Sequence, residues 1–347
     1  MKKFVALTLG AAVAATCLSG CGGRGSAGEV NVYNWGEYID MSVLEDFQKE
    51  TGIKVNYQTF ESNEAMYAVL DGDGADYDVI IPSDYMISRL IEEDKLEPLN
   101  FDNIPNFSDV DPELKNPEYD PENLYSVPYM WGLMGVIYNT TMVDEADTGS
   151  WDLLWNEKYS NDILMIDNSR DAIGIALKRL GYSYNTTDPD QITEAVDSLI
   201  EQKSVLQGYA MDQIFSKMEG SNAAIGTYYY GDFLTMQENN SDLAFYLPEE
   251  GTNIYVDAMC IPKGAANKEN AEAFINYMCS TQAGLKNCEE IWYSTPLMSV
   301  REELDPEVSS DPMAYPDAEI MAQCESYTNL PQDILDLYTS EWLRLKA

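Results

Sequence analysis

Three strand-like runs in this chain end where an aromatic ring sits beside, or two positions from, a carboxylate: Trp35-Gly36-Glu37-Tyr38, Ser83-Asp84-Tyr85 and Tyr255-Val256-Asp257. Those residue types suit an organic cation. An ammonium group on a carbon chain needs fixed carboxylates for its charge and aromatic faces for its methylenes and N–H edges. Bond-making chemistry would look different. The sequence contains no histidine, which removes the side chain that most often serves as general base or metal ligand near neutral pH. No catalytic serine motif or zinc motif stands in its place, so neither a metal nor another cofactor is expected.

Asp257 carries the sharpest expectation. A carboxylate inside the apolar run 254–261 is costly if buried unpaired, so it either meets a cation or points to solvent. Asp171 reads by itself as a charge in the first turn of a helix, where the dipole favours it. Asp84 is placed either to cap the helix that starts near Tyr85 or to stand at a pocket rim. Glu37 is a rim carboxylate or a solvated loop charge. The chain has 24 tyrosines, and most must be core residues with one hydrogen bond satisfied. Trp35, Tyr85, Tyr255 and Tyr293 are preferred as wall residues because they fall at loops or strand ends near carboxylates, whereas Trp131, Trp151, Trp155 and Trp342 read as structural.

The elements that would position these groups alternate between strand and helix patterns, which argues for an α/β architecture with largely parallel sheets. Strands are expected over 30–35, 53–60 and 77–81, with a helix between the first two that opens at a Ser42/Glu45 capping box and stops at Gly52. A second helix is expected near 63–70. The carboxyl ends of the first and third strands coincide with the Trp35 and Ser83 segments, where open α/β sheets hold ligands. After an irregular stretch over 98–121, strand signals return at 125–138, and residues 139–141 read as a crossing into a second lobe. Strands at 163–166, 223–230 and 243–247 and helices at 169–180 and 189–200 follow. The strand over 254–261 carries the chain back, and helices near 268–278 and 331–345 close it. The expected division is 29–138 plus 259–310 for one lobe and 139–258 plus 311–347 for the other, with a ligand cleft between them.

Residues 1–20 read as a secretory signal, with Lys2 and Lys3 ahead of an apolar run. Leu18-Ser19-Gly20-Cys21 resembles the cleavage box of bacterial lipoproteins, which implies lipidation of Cys21 and a tether over 21–28 holding a soluble body at the outer face of a membrane. No later apolar run approaches bilayer length. With 60 acidic against 20 basic residues and a formal net charge of −40, nucleic acid is excluded as a partner. Cys260, Cys279, Cys288 and Cys324 fit no metal spacing, and the sequence leaves their pairing open.

Longer stretches carry a family likeness. Tyr33-Asn-Trp-Gly-Glu-Tyr-Ile39, Glu45-Asp-Phe-Gln-Lys-Glu-Thr-Gly-Ile-Lys-Val55, Phe60-Glu-Ser-Asn-Glu64, Tyr77-Asp-Val-Ile-Ile-Pro-Ser83 and Ser150-Trp-Asp-Leu-Leu-Trp155 resemble the spermidine/putrescine-binding proteins of polyamine ABC importers. Similarity continues through Lys178-Arg-Leu-Gly-Tyr182, Asn185-Thr-Thr-Asp-Pro189, Ser294-Thr-Pro296 and Tyr315-Pro-Asp-Ala-Glu319, so it spans the whole of the chain after the signal.

The resemblance implies a two-lobed periplasmic-binding-protein fold of type II form, which closes on a polyamine and delivers it to a membrane permease as a monomer without enzymatic activity. Position by position, it implies ligand contacts from Trp35, Tyr38, Ser83, Tyr85, Asn168, Asp171, Tyr229, Tyr255, Asp257, Tyr293 and Tyr327. Asp171 and Tyr229 would come from one lobe, Trp35 and Tyr85 from the other. Several positions depart from the family pattern. Asn168 and Asp171 stand where the family commonly offers two acidic ligands, Tyr229 and Tyr255 replace tryptophans, and Tyr327 stands where glutamine is usual. The run Tyr228-Tyr229-Tyr230 admits more than one alignment. Loss of a charge at Asn168 favours putrescine over spermidine. Competing readings are a receptor for ferric ion, a sugar or an amino acid, and an exported hydrolase using paired carboxylates. An amino-acid receptor should offer a cation to the ligand's carboxylate, and the three aromatic loops contain no arginine.

Overall fold

The computed structural model describes residues 27–72 and 76–347. β1 (Glu29–Trp35) leads to α1 (Met41–Thr51), β2 (Lys54–Phe60), α2 (Asn63–Leu70), β3 (Val79–Ile80) and α3 (Asp84–Glu92). A 14-residue strand, β4 (Ser126–Asn139), carries the chain onward. Beyond it lie β5 (Ile163–Ile166), α4 (Ser169–Arg179), α5 (Pro189–Gln202), β6 (Leu206–Ala210), α6 (Gln213–Glu219), β7 (Ile225–Tyr229), α7 (Tyr230–Asn239) and β8 (Leu243–Tyr246). β9 (Thr252–Cys260) returns the chain to α8 (Lys268–Met278) and α9 (Thr281–Ile291), and the two-residue β10 (Cys324–Glu325) precedes a terminal helix, Gln332–Lys346.

Helix boundaries follow local chemistry. α1 stops at Gly52, whose positive φ of 77° is open to glycine and strained for other residues. Its start differs from the expected capping box. Asp40 takes the N-cap position, and its carboxylate accepts from both the amide and the hydroxyl of Ser42. A carboxylate two residues earlier outcompetes the serine for the exposed amides. α5 begins with Pro189 after Asp188, a fixed φ and a side-chain cap in succession.

The strands follow the order β2-β1-β3-β9-β4-β7-β5-β6, with β8 on β4 and β10 on β9. Pairing is parallel between β1 and its neighbours β2 and β3, and between β5 and its neighbours β6 and β7. The expectation of largely parallel sheets therefore holds within each half. It fails at the junction, because the chain leaves on β4 and comes back on β9, and those strands pair antiparallel from Ser126 opposite Cys260 to Leu133 opposite Ile254. The far half of β4 then sits between β7 and β8, with Val136 opposite both Thr227 and Tyr246. One strand thus belongs to both halves of the sheet.

Apolar burial divides accordingly into two lobes. One cluster gathers Met134, Val136 and Ile137 of β4 with Trp151, Ile173, Val196, Phe233 and Leu345; another gathers Val30, Phe47, Val79, Met130, Phe274 and Val300. A third, smaller cluster joins Tyr33, Met66 and Tyr85 to Tyr184 and Tyr327. Two glycines let β4 be shared. A Cβ on Gly135 would lie 2.3 Å from the Phe245 ring and 2.6 Å from the Tyr246 carbonyl oxygen, and one on Gly132 would lie 2.7 Å from the Tyr255 hydroxyl. We expect Gly135→Ala to destabilise the protein by about 1–3 kcal/mol through overpacking against a backbone atom. Urea unfolding checks this, and a midpoint equal to the parent's would mean that β4 and β8 separate at no cost.

Candidate functional site

A cavity of about 170 Å³ opens where the strand ends of both halves meet β9. Trp35 ends β1, Ser83 precedes α3, Asn168 and Asp171 flank the start of α4 just after β5, and Tyr229 ends β7. All are therefore delivered to the cavity by the carboxyl ends of parallel strands and the helix starts that follow them. Tyr255 and Asp257 come from within β9 itself. The ligand positions implied by the family resemblance all line it, namely Trp35, Tyr38, Ser83, Tyr85, Asn168, Asp171, Tyr229, Tyr255, Asp257, Tyr293 and Tyr327, and of the two rim candidates Glu37 joins them at an exposed position.

Carboxylates held by hydroxyl groups dominate the site. Asp257 is 5% exposed, and its two oxygens accept from Ser83 Oγ at 2.6 Å and Tyr38 Oη at 2.8 Å. Burial pushes its carboxyl up to about 6 against the pull of those two donors. Asp171 is 4% exposed and accepts from Tyr229 Oη at 2.8 Å and Tyr327 Oη at 3.1 Å. Burial raises it to about 6 as well, opposed by the two tyrosines. Asp232, in the first turn of α7, accepts from Tyr293 Oη at 2.6 Å, and burial raises it to about 8, with Asp212 and Glu37 adding repulsion. Among the described residues, no lysine or arginine nitrogen lies within 4.0 Å of any of the three. The site is a set of desolvated acids, none of them ion-paired among the described residues, although the buried guanidinium of Arg170 lines the same cavity and its field pulls against the raised Asp171 carboxyl.

Aromatic rings stand between them. Tyr229 and Tyr255 meet edge to face at 5.0 Å between centroids, Tyr255 and Tyr293 at 6.4 Å, and Tyr38 and Tyr293 at 4.7 Å. Trp35 is fixed by its indole N–H, which donates to the Ile81 carbonyl at 2.9 Å, and by its tilt against Phe60. Tyr85 is fixed at its hydroxyl, which donates to Glu64 and accepts from the Asn63 amide. Asn63 also donates to Ser83 Oγ, so the loop that holds Asp257 is braced from α2. These rings and acids together suit a small cation with apolar segments.

The rim placement of Asp84 is corrected. Asp84 is absent from the cavity wall; it is buried in the first turn of α3, and its Oδ1 accepts from the Tyr85 amide at 2.7 Å. Burial raises its carboxyl to about 8. Asn168 lines the wall but acts as the N-cap of α4, its side-chain oxygen accepting from the Arg170 amide at 3.0 Å. Asparagine keeps that capping bond without the charge. Sequence reasoning missed Asp232 and Arg170, both of which line the cavity. The signal for Asp232 lay in Tyr228-Tyr229-Tyr230-Gly231-Asp232, an aromatic run closing on a carboxylate just as in the three loops first singled out. Arg170 stood one residue from Asp171 and outside the aromatic loops. Cys21 lies outside the described residues.

Two α/β lobes joined by antiparallel crossing strands, with a polar and aromatic cavity at the strand ends, define a solute receptor. The chain matches the family of bacterial extracellular solute-binding proteins over residues 42–316, and it belongs to that family. Its relatives narrow the class. The spermidine/putrescine-binding periplasmic protein of Salmonella typhimurium is 36% identical over 317 residues, covering 91% of this chain and 90% of that one. The putrescine-binding periplasmic protein SpuD of Pseudomonas aeruginosa is 28% identical over 373 residues, covering 100% and 98%. The solved spermidine/putrescine ABC transporter substrate-binding protein PotD of Streptococcus pneumoniae is 40% identical, covers 92% of this chain and 99% of its own, and superposes with a TM-score of 0.77. The two-lobed fold is thus the one used by ABC-transporter binding proteins, and these relatives are solute-binding proteins.

The buried acids also set a pH dependence. Burial raises the folded pKa of Asp232 to about 8, above the ordinary aspartate value of 3.8, so its contribution to stability is fully present below about pH 4 and lost as pH rises through about 8. Asp232→Asn keeps an acceptor for Tyr293 and removes the charge. We expect it to stabilise the ligand-free protein, with a larger gain at pH 8.5 than at pH 5 by urea unfolding. A gain that does not grow with pH would contradict the desolvated carboxylate.

Proposed function

We propose that this chain is the extracytoplasmic receptor of an ABC importer, that it encloses a polyamine, putrescine or spermidine, between its lobes, and that it presents the ligand to permease subunits without altering any bond. The observation that carries this reading is the convergence of Asp171, Asp232 and Asp257 on one aromatic-walled cavity, each held by hydroxyl donors and none paired with a basic side chain. A buried ionised carboxylate left unpaired is costly, and a ligand with amines spaced along a carbon chain supplies the missing charges while its methylenes meet Tyr229, Tyr255 and Tyr293. The relatives named for spermidine and putrescine support the same ligand class.

Each desolvated charge-assisted hydrogen bond contributes about 1.5–3 kcal/mol and each ammonium–aromatic contact about 0.5–2 kcal/mol. Two or three of each reach micromolar affinity after ordering costs. Closure follows from differential contact: the form in which acids from both lobes reach one ligand is the form the ligand selects. The neutral Asn168 argued for a diamine, but Asp232 offsets the lost charge, so the two polyamines stand level. We further propose lipidation at Cys21, supported by the Leu18-Ser19-Gly20-Cys21 box, a monomeric body and no nucleic-acid partner.

Isothermal titration calorimetry with putrescine, cadaverine, spermidine and spermine tests the reading. We expect a micromolar or tighter dissociation constant for putrescine or spermidine, and a loss of about tenfold to a hundredfold in Asp257→Asn, the equivalent of one charge-assisted hydrogen bond. Absence of heat with all four ligands would overturn it.

A further inference from the structure

Among the residues that line the cavity, Arg170 is the only basic one. It is 3% exposed. Its Nη2 donates to Asn185 Oδ1 at 3.4 Å and to the Thr328 carbonyl at 3.3 Å, while Nε and Nη1 are closed to solvent and have no acceptor among the described residues. Among the described residues no carboxylate oxygen lies within 4.0 Å of its nitrogens. The guanidinium carbon instead lies 5.3 Å from the centroid of Tyr85, 4.7 Å from Tyr327 and 5.3 Å from Tyr338. Tyr85 and Tyr327 belong to the cavity wall and Tyr338, on the terminal helix, does not. The cation therefore stands at the end of the cavity beyond Asp171, inside an aromatic cage of the kind a ligand ammonium would occupy.

What this group offers a ligand is its charge. Its Nη2 is engaged by Asn185 and Thr328, and its Nε and Nη1 are closed to solvent. The cage is fixed as well. Tyr85 is held by Glu64 and Asn63, and the Tyr327 hydroxyl is held by Asp171 and the Arg170 carbonyl. At the opposite side, around Asp232 and Tyr293, no basic residue lines the wall.

We infer that Arg170 is a specificity-determining charge stop: it fills the aromatic cage at the Asp171 end, fixes a terminal ammonium of the ligand at Asp171, and rejects polyamines long enough to bring another ammonium past that point. Repulsion between like charges a few ångströms apart in a low-dielectric site is strong enough to discriminate by chain length. The inference rests on the polyamine reading and deepens it.

Calorimetry with putrescine, spermidine and spermine on the parent, Arg170→Met and Arg170→Lys tests it. Methionine keeps the volume and removes the charge; lysine keeps the charge. We expect the spermine-to-putrescine affinity ratio to rise about tenfold in Arg170→Met and to remain at the parent's value in Arg170→Lys. A purely structural role would weaken all ligands together. The parent protein supplies a check that needs no variant: N1-acetylspermine, which lacks one terminal charge at similar length, should bind more tightly than spermine. An unchanged ratio in Arg170→Met, or spermine binding the parent at least as tightly as its acetylated form, would overturn the charge stop even where putrescine binds well. A parent that binds no polyamine would overturn the polyamine reading itself, and the charge stop with it.

Discussion

Desolvation of carboxylates is the constraint on which the rest of this structure turns. Asp171, Asp232 and Asp257 are each almost sealed from solvent, and each accepts its side-chain hydrogen bonds from neutral O–H groups. Hydroxyl groups recover part of what water gave, and the raised carboxyl pKa values record the remainder. A cation that enters such a site meets acceptors already oriented and already stripped of water. The protein has in effect stored, in its ligand-free form, a cost that ligand entry relieves.

Holding acids in that state requires a rigid frame, and the sheet provides it. β4 and β9 run antiparallel through the middle of the molecule, and β9 places Tyr255 and Asp257 while β4 packs glycines against Tyr255, Phe245 and the Tyr246 backbone. The parallel strands on either side end at the cavity and deliver Trp35, Ser83, Asp171 and Tyr229. A bridge between Ser83 and Asp257 joins the β3 end directly to β9. Asp257 is held within one half by Ser83 and Tyr38, whereas Asp232 on α7 accepts from Tyr293 of the other half, so a hydrogen bond already spans the two halves at the cavity.

Much of this was legible in the sequence, for identifiable reasons. Asp257 could be read because a carboxylate in an apolar strand has few ways to be satisfied, and the aromatic loops could be read because they follow strand patterns. Helices with clear stops, such as α1 at Gly52, were equally visible. Elements without strong periodicity were not: β6 carries Gly208 within a five-residue strand, α7 starts directly at the end of β7 with Gly231 in its first turn, and α9 carries Gly284. Asp84 was ambiguous because a residue at a helix start can face inward or outward, and only packing decides. Arg170 escaped notice because nothing local distinguishes a buried arginine from an exposed one until Tyr85, Tyr327 and Tyr338, which are remote in sequence, assemble around it.

The central claim concerns the protonation of three named aspartates, and it is most directly measured by carboxyl carbon NMR of aspartate-labelled protein titrated from pH 4 to 9, without ligand and saturated with putrescine. The account predicts that, in the ligand-free protein, Asp171 and Asp257 titrate near 6 and Asp232 near 8, and that all three move down toward the ordinary carboxylate range when the diamine is bound. Ordinary carboxylate titration in the ligand-free protein, or raised values that putrescine leaves unmoved, would contradict it.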